Sequence, residues 1–288
     1  MGAPLASRLI HAGFRIQIYD FDNDTLRYFL METGGEVAAS PRLMAEACDI
    51  VLAMLPRPTD VRAATLGREG VVHGFAAGKI FVDLSASPPA QTRAIAKELR
   101  RAGGAMIDAP ALGGLAELRA GKLTLLVGGE EDAIARAEPV LETFASRLIR
   151  TGPISSAHAA KALCGQLAAL CFLATAETLM VGRRAGLEPA ALLEALNASA
   201  GANFASEATM ARHVLSRGFG SGLPLDGLLG DLQQALDLAR DAEMPAPLSA
   251  LAREIWATAR LALGPGQDHT RLIRWLEQIT KTEFPRRQ

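Results

Sequence analysis

Apolar runs of strand length alternate with stretches of helical period through the first half of the chain. "FRIQIYD" (Phe14 to Asp20), "DIVLAML" (Asp49 to Leu55), "KIFVDLS" (Lys79 to Ser85), "AMIDAP" (Ala105 to Pro110) and "KLTLLVGG" (Lys122 to Gly129) read as five strands. Helical segments lie between them, such as Pro4 to His11 and "DTLRYFLMETGG", whose closing glycines Gly34 and Gly35 suit a C-cap. Strands alternating with helices predict a parallel, doubly wound sheet. After about Thr151 strand signals stop. Helical patterns follow at about 156–186, 188–198, 204–216, 226–242, 246–262 and 268–280, punctuated by "GLEP", "EMPAP" and "LGPGQ". The pattern predicts an α/β domain over residues 1–153 and an all-helical domain over 154–288.

Composition narrows the class. At 288 residues and 49% hydrophobic, the chain can bury a full core. A net charge of −1 gives no footprint for nucleic acid, and the basic end "PRRQ" reads as solvated. Cys48, Cys164 and Cys171 have no metal or disulfide spacing. Each lies in an apolar stretch, so small core positions and a reducing compartment are expected. The five histidines are scattered, which predicts surface or helix-end positions. The opening residues show no charged n-region followed by an apolar h-region, so no secretory leader is expected, and the longest apolar run, around Leu167 to Ala176, is about half of the roughly 20 residues a span needs. A cytoplasmic protein that holds no metal and enters no membrane is expected.

Two places carry chemistry. In a dinucleotide-binding unit, G-x-G-x-x-G joins a first strand to a helix, and an acidic residue ends the second strand about 20 residues later. Gly2, ahead of the Pro4 to His11 helix, and Asp20 fit the third glycine and the acid. The first strand and the first two glycines are not in this sequence. The second place is "HAAKALCGQLAALC" (His158 to Cys171), an Ala- and Leu-rich helix expected to be buried nearly all round, with Lys161 inside it. A lysine held in an apolar cleft loses part of its preference for the charged form, which suits proton exchange. It can also snorkel or pair with a carboxylate.

"DIVLAMLP", "VDLSASPP" and "DAPALGGLAELRAGKL", in this order and spacing, resemble the β-hydroxyacid dehydrogenase family over essentially the whole chain. That family includes 3-hydroxyisobutyrate dehydrogenases and 2-hydroxy-3-oxopropionate reductases. The resemblance implies a Rossmann-type domain followed by an all-α domain, and hydride transfer between a nicotinamide and a 3-hydroxy acid or semialdehyde. It puts Lys161 on the general acid/base. It puts Leu55, Pro56, Ser85, Ala86 and Asp231 beside the cofactor, with Gly2 and Asp20. It puts Leu112, Gly113, Gly114 and Gly165 at the substrate, the two central glycines offering amides to a carboxylate. Met1-Gly2 would close the family's G-L-G-x-M-G, so an upstream strand in the gene is expected.

The chain departs from the family at the pocket. Leu112 stands for a serine, Ala86 for a threonine, Cys164 and Gly165 for an asparagine pair, and Gly230 for the lysine of a Lys-Asp pair. Ser155 and Ala157 replace glycines ahead of Lys161, and Asp231 also reads as a helix N-cap. These changes imply a less polar substrate. A non-catalytic nucleotide-binding relative and an imine-reducing relative are the alternatives. With Asp20 followed by Phe21, Asp22 and Asn23, NAD is expected over NADP. The apolar faces of the Lys161 helix predict a homodimer or homotetramer.

Overall fold

Alternating apolar side chains sort the first part of the chain onto two sides of a sheet. The computed structural model describes residues 1–33 and 36–285. It divides into two units, Met1–Lys161 and Ala162–Gln288. The first unit runs α1 (Gly2–His11), β1 (Gln17–Ile18), α2 (Asn23–Thr33), β2 (Glu36–Val37), α3 (Pro41–Ala47), β3 (Ile50–Ala53), α4 (Pro58–Leu66), β4 (Ile80–Asp83), α5 (Pro89–Arg101), β5 (Ala105–Asp108), β6 (Ala111–Leu112), α6 (Leu115–Ala120), β7 (Leu123–Gly128), α7 (Glu131–Leu141) and β8 (Ala145–Gly152). The glycine C-cap expected at Gly34 and Gly35 and the basic side chains of Arg286 and Arg287 lie outside the described residues.

Strands β3, β4 and β5 pair in parallel, with Ile50 opposite Ile80 and Ile80 opposite Ala105. Every residue of β4 is buried, as helices on both faces require. Ile80 and Val82 pack on one side with Leu5, Leu9, Ile107 and Val127. Phe81 points to the other side, with Val51, Ile95 and Leu99.

The sheet is not parallel throughout. β7 runs antiparallel to β5 and β6 and parallel to β8. β8 has no apolar run to announce it, because half-buried and exposed positions fill it after Ala145. The strand expected from Phe14 to Asp20 shortens to β1, which among the described residues pairs with β2 alone, in a separate two-stranded sheet. Its polar flanks serve that pairing: Arg15 and Gln17 both donate to the Glu36 carboxylate.

The helix α8 (Ser156–Arg184) begins in the first unit and continues into the second. There follow α9 (Pro189–Asn197), a π-helical segment Ala205–Leu215, α10 (Leu225–Asp241), α11 (Pro247–Leu263), a 3₁₀ turn His269–Arg271 and α12 (Leu272–Thr280). Phe172 of α8 and Trp256 of α11 anchor the core of this unit, their ring centroids 5.7 Å apart.

Several expectations are corrected here. α8 is not buried all round: Leu163, Leu167 and Val181 are exposed while Ala169, Phe172, Ala176 and Leu179 face the core. It is also 29 residues long and holds an 18-residue window with a mean hydropathy of 1.5, which by length and composition alone could cross a membrane, although its longest unbroken apolar run is short. Cys164 is exposed, and Cys48 and Cys171 are half-buried. His158 and His269 are buried, not superficial. Asp231 lies inside α10 and is not its N-cap.

Candidate active site

Three parallel strands end along one edge, where open α/β sheets take their ligands. β3 runs on into Leu55 and Pro56, β4 into Ser85 and Ala86, and β5 ends at Asp108. The Leu55 N–H donates to the Ser85 hydroxyl at 2.9 Å, so the two cofactor-side turns expected from the sequence are joined. Pro56 and Ala86 are exposed beside them. Asp83 is buried beneath: it accepts from the Ser85 N–H at 2.9 Å and the Ser87 hydroxyl at 2.6 Å.

Asp108 caps the start of α8. Its carboxylate accepts from the N–H groups of Ser155 and His158, both at 2.8 Å, as an acidic group at a helix N-terminus should. Burial pushes its carboxyl up from the ordinary value of 3.8, against the opposing pull of His158 and of those donors. Lys161 follows His158 by three residues on α8 and is half-buried. The start of that helix is therefore tied to the end of β5.

Gly2 begins α1, the helix has no side-chain cap, and a Cβ at Gly2 would meet nothing within 4 Å. The open amides of such a terminus suit a pyrophosphate. Asp20 lies two residues beyond β1, with one oxygen accepting from the Asp22 N–H at 3.0 Å. The α1 terminus, Asp20 and the turns at Leu55–Pro56 and Ser85–Ala86 thus carry the donor and acceptor types a dinucleotide needs.

The corner expected to bind a carboxylate differs from its reading. Leu112 ends β6, and Gly113 turns with φ 121°. The Gly114 N–H already donates to the Glu117 carboxylate at 2.8 Å. That bond holds the Glu117 carboxyl below its ordinary value. A substrate carboxylate there has Glu117 to displace.

In the second unit Gly165 and Asp231 meet. A Cβ at Gly165 would fall 1.9 Å from Asp231 Oδ2 and 2.6 Å from Asp231 Cβ, and Asp231 is buried. The small residue that departs from the family pattern thus makes room for a carboxylate against α8. Sequence reasoning missed Asp83, Thr92, Asp108, Glu117 and His158. The pairing of Asp83 and Asp108 at successive strand ends was the signal available for two of them.

Residues 1–152 match the family model described as the NAD binding domain of 6-phosphogluconate dehydrogenase. Residues 155–276 match that of NAD-binding of NADP-dependent 3-hydroxyisobutyrate dehydrogenase. The chain is 32% identical over 263 residues to 3-hydroxyisobutyrate dehydrogenase of Pseudomonas aeruginosa, covering 89% of this chain and 88% of that one. It is 31% identical over 272 residues to the NAD-dependent L-serine dehydrogenase of the same organism, covering 92% and 90%. Among solved structures it is similar to Mycobacterium tuberculosis 3-hydroxyisobutyrate dehydrogenase with L-serine, at TM-score 0.86 and 26% identity over 96% of this chain and 95% of that one.

Proposed function

The chain belongs to the β-hydroxyacid dehydrogenase family and is an NAD(P)-dependent dehydrogenase acting on CH–OH groups, and from that premise we propose that it transfers hydride between NAD and a 3-hydroxy acid or semialdehyde with a less polar end than the usual substrates. The observation that supports this reading is the capping of α8 by Asp108, which anchors the helical turn ahead of Lys161 to the end of β5. A nicotinamide held at that edge would supply the hydride acceptor for oxidation of the CH–OH carbon and the hydride donor for the reverse reduction. Lys161 takes the hydroxyl proton as the carbonyl forms, and gives it back in reduction. Its ammonium also stabilises negative charge developing on that oxygen.

Gly2, Asp20, Leu55, Pro56, Ser85, Ala86 and Asp231 are proposed to hold the cofactor, with Asp20 on the ribose hydroxyls. Leu112, Gly113, Gly114 and Gly165 are proposed to face the substrate. Leu112 and Gly165 offer no side-chain hydrogen bond, and the Gly114 amide is engaged by Glu117. Each lost bond to a charged group costs roughly 1.5–3 kcal/mol, so two cost at least about a hundredfold in efficiency. The test compares 3-hydroxyisobutyrate and tartronate semialdehyde with larger hydroxy acids, ketones and imines, in wild type and Lys161→Met. Weak turnover of the first two, better turnover of a larger compound, and none in Lys161→Met with NADH still bound are expected. High efficiency on either standard substrate defeats the substrate reading, and turnover in Lys161→Met defeats the assignment of the base.

A further inference from the structure

His158 is 1% exposed, and its hydrogen bonds reach three segments of the first unit. Its backbone N–H donates to Asp108 on β5. Its Nε2 lies 3.0 Å from the Ser85 carbonyl. A carbonyl only accepts, so Nε2 carries the proton. Its Nδ1 is 2.7 Å from the Thr92 hydroxyl on α5. Ser85 in turn receives the Leu55 N–H. A continuous chain of bonds therefore runs from the Leu55 turn through Ser85 and the imidazole into the helical turn that carries Lys161. Packing alone does not ask for an imidazole at this position, since neighbouring Ala157 and Ala162 are buried without polar groups. Two carboxylates also stand near the ring, Asp83 at 3.9 Å and Asp108 at 3.8 Å, and a buried polar cluster of this kind is costly unless its geometry is kept.

We propose that His158 is a positioning residue: through Nε2 it sets the Ser85–Ala86 turn, and so the seat of the cofactor, in register with Lys161. This rests on the reading of Lys161 as the acid/base and of the turn as the cofactor's seat. The two ring nitrogens have separate duties under it. The Ser85 bond governs the cofactor, while the Thr92 bond governs only the attachment of α8 to α5.

The two amide side chains separate these duties. Gln places its amide where Nε2 sits and Asn places its amide where Nδ1 sits. NADH binding by fluorescence, KM for the cofactor, kcat and Tm would be measured for His158→Gln, His158→Asn, Thr92→Val and Lys161→Met. His158→Asn is expected to weaken NADH binding by roughly tenfold, the worth of one buried bond, and to lower kcat as well. His158→Gln is expected to restore binding to within about threefold of wild type. Thr92→Val is expected to lower Tm while leaving NADH binding unchanged. A purely structural histidine predicts equal losses of Tm in Gln and Asn with cofactor binding unmoved, and that result overturns the proposal. If His158→Asn does not fold, Gln and Thr92→Val still decide: Gln binding NADH no better than tenfold below wild type, or Thr92→Val losing NADH, defeats it. Survival of turnover in Lys161→Met defeats the acid/base reading separately, because the NADH measurements on His158 do not depend on it.

Discussion

At the scale of single residues, two glycines that replace larger family residues have opposite surroundings. Gly165 sits against the Asp231 carboxylate, so restoring an amide by Gly165→Asn forces a clash that no rotamer relieves, since Asp231 Cβ itself lies 2.6 Å from the new Cβ. Overpacking of this kind costs about 1–3 kcal/mol. Chemical denaturation should show that loss, and a smaller one when Asp231→Ala is already present. Gly230, in the middle of α10, has open space where its Cβ would be. Gly230→Lys should stabilise the chain by about 0.5–1 kcal/mol through helix propensity and, with the family's lysine restored, tighten NADH binding. A destabilised Gly230→Lys would contradict the open surroundings. Asp20 carries a third test. Asp20→Asn should narrow the preference for NAD over NADP by roughly 1–3 kcal/mol, read as the ratio of kcat/KM. An unchanged ratio would remove Asp20 from the ribose site.

At the scale of elements, what the sequence displays depends on how an element is buried. β4, β5 and β7 are legible because their residues are mostly buried, and β3 because its residues are all apolar with no exposed position, so each forms an apolar run. β8 and the two-residue strands β2 and β6 are not, since exposed positions break β8 and fill β2, and β6 is two half-buried residues, too short to show a period. The helices of the second half read well because each keeps a core stripe at helical spacing. Lys161 was legible as a charge in an apolar helix. His158 was not, because its side-chain partners Thr92 and Ser85 lie 66 and 73 residues away. The same holds for His269, packed edge-on to Phe172 at 4.9 Å. Burial lowers its affinity for a proton below the ordinary 6.5, with His213 adding to the effect and Asp268 and the Leu223 carbonyl opposing it. The folded chain then binds fewer protons than the unfolded chain between the lowered value and 6.5. Stability is therefore lost as pH falls through 6.5 towards that value, and the loss levels off below it. Tm measured from about pH 7.5 down to about pH 5 should fall, with a flatter slope in His269→Asn. Asp268, held below its ordinary 3.8 by hydrogen bonds that outweigh its burial, contributes only at more acid pH and does not blur the test.

At the scale of the whole molecule, two helices of the second unit each carry a group of exposed large apolar side chains. α8 exposes Leu163, Leu167 and Val181 at 47%, 61% and 64%, and α11 exposes Leu248, Leu251 and Leu261 at 65%, 61% and 78%. Monomeric proteins scatter exposed leucines singly, whereas grouped ones mark association. α8 is apolar at most positions and cannot bury both its stripes within one unit, because the residues facing the core are already Ala169, Phe172, Ala176 and Leu179. A second copy of the chain is the occupant these faces favour: a symmetric contact lets one leucine-rich helix cover its own equivalent, and no charge pattern on the stripe calls for an unlike partner. We therefore expect a homodimer or homotetramer in solution, held through α8 or α11. Light scattering at micromolar concentration should give at least twice the 30.4 kDa chain mass. Leu167→Glu and Leu251→Glu place a charge at the centre of each exposed stripe, and since neither side chain is in the core, each should fold normally while one of them shifts the protein towards monomer. The variant that dissociates identifies which helix forms the contact. A wild-type protein that is monomeric at these concentrations, or an oligomer indifferent to both changes, would show that these leucines serve another purpose.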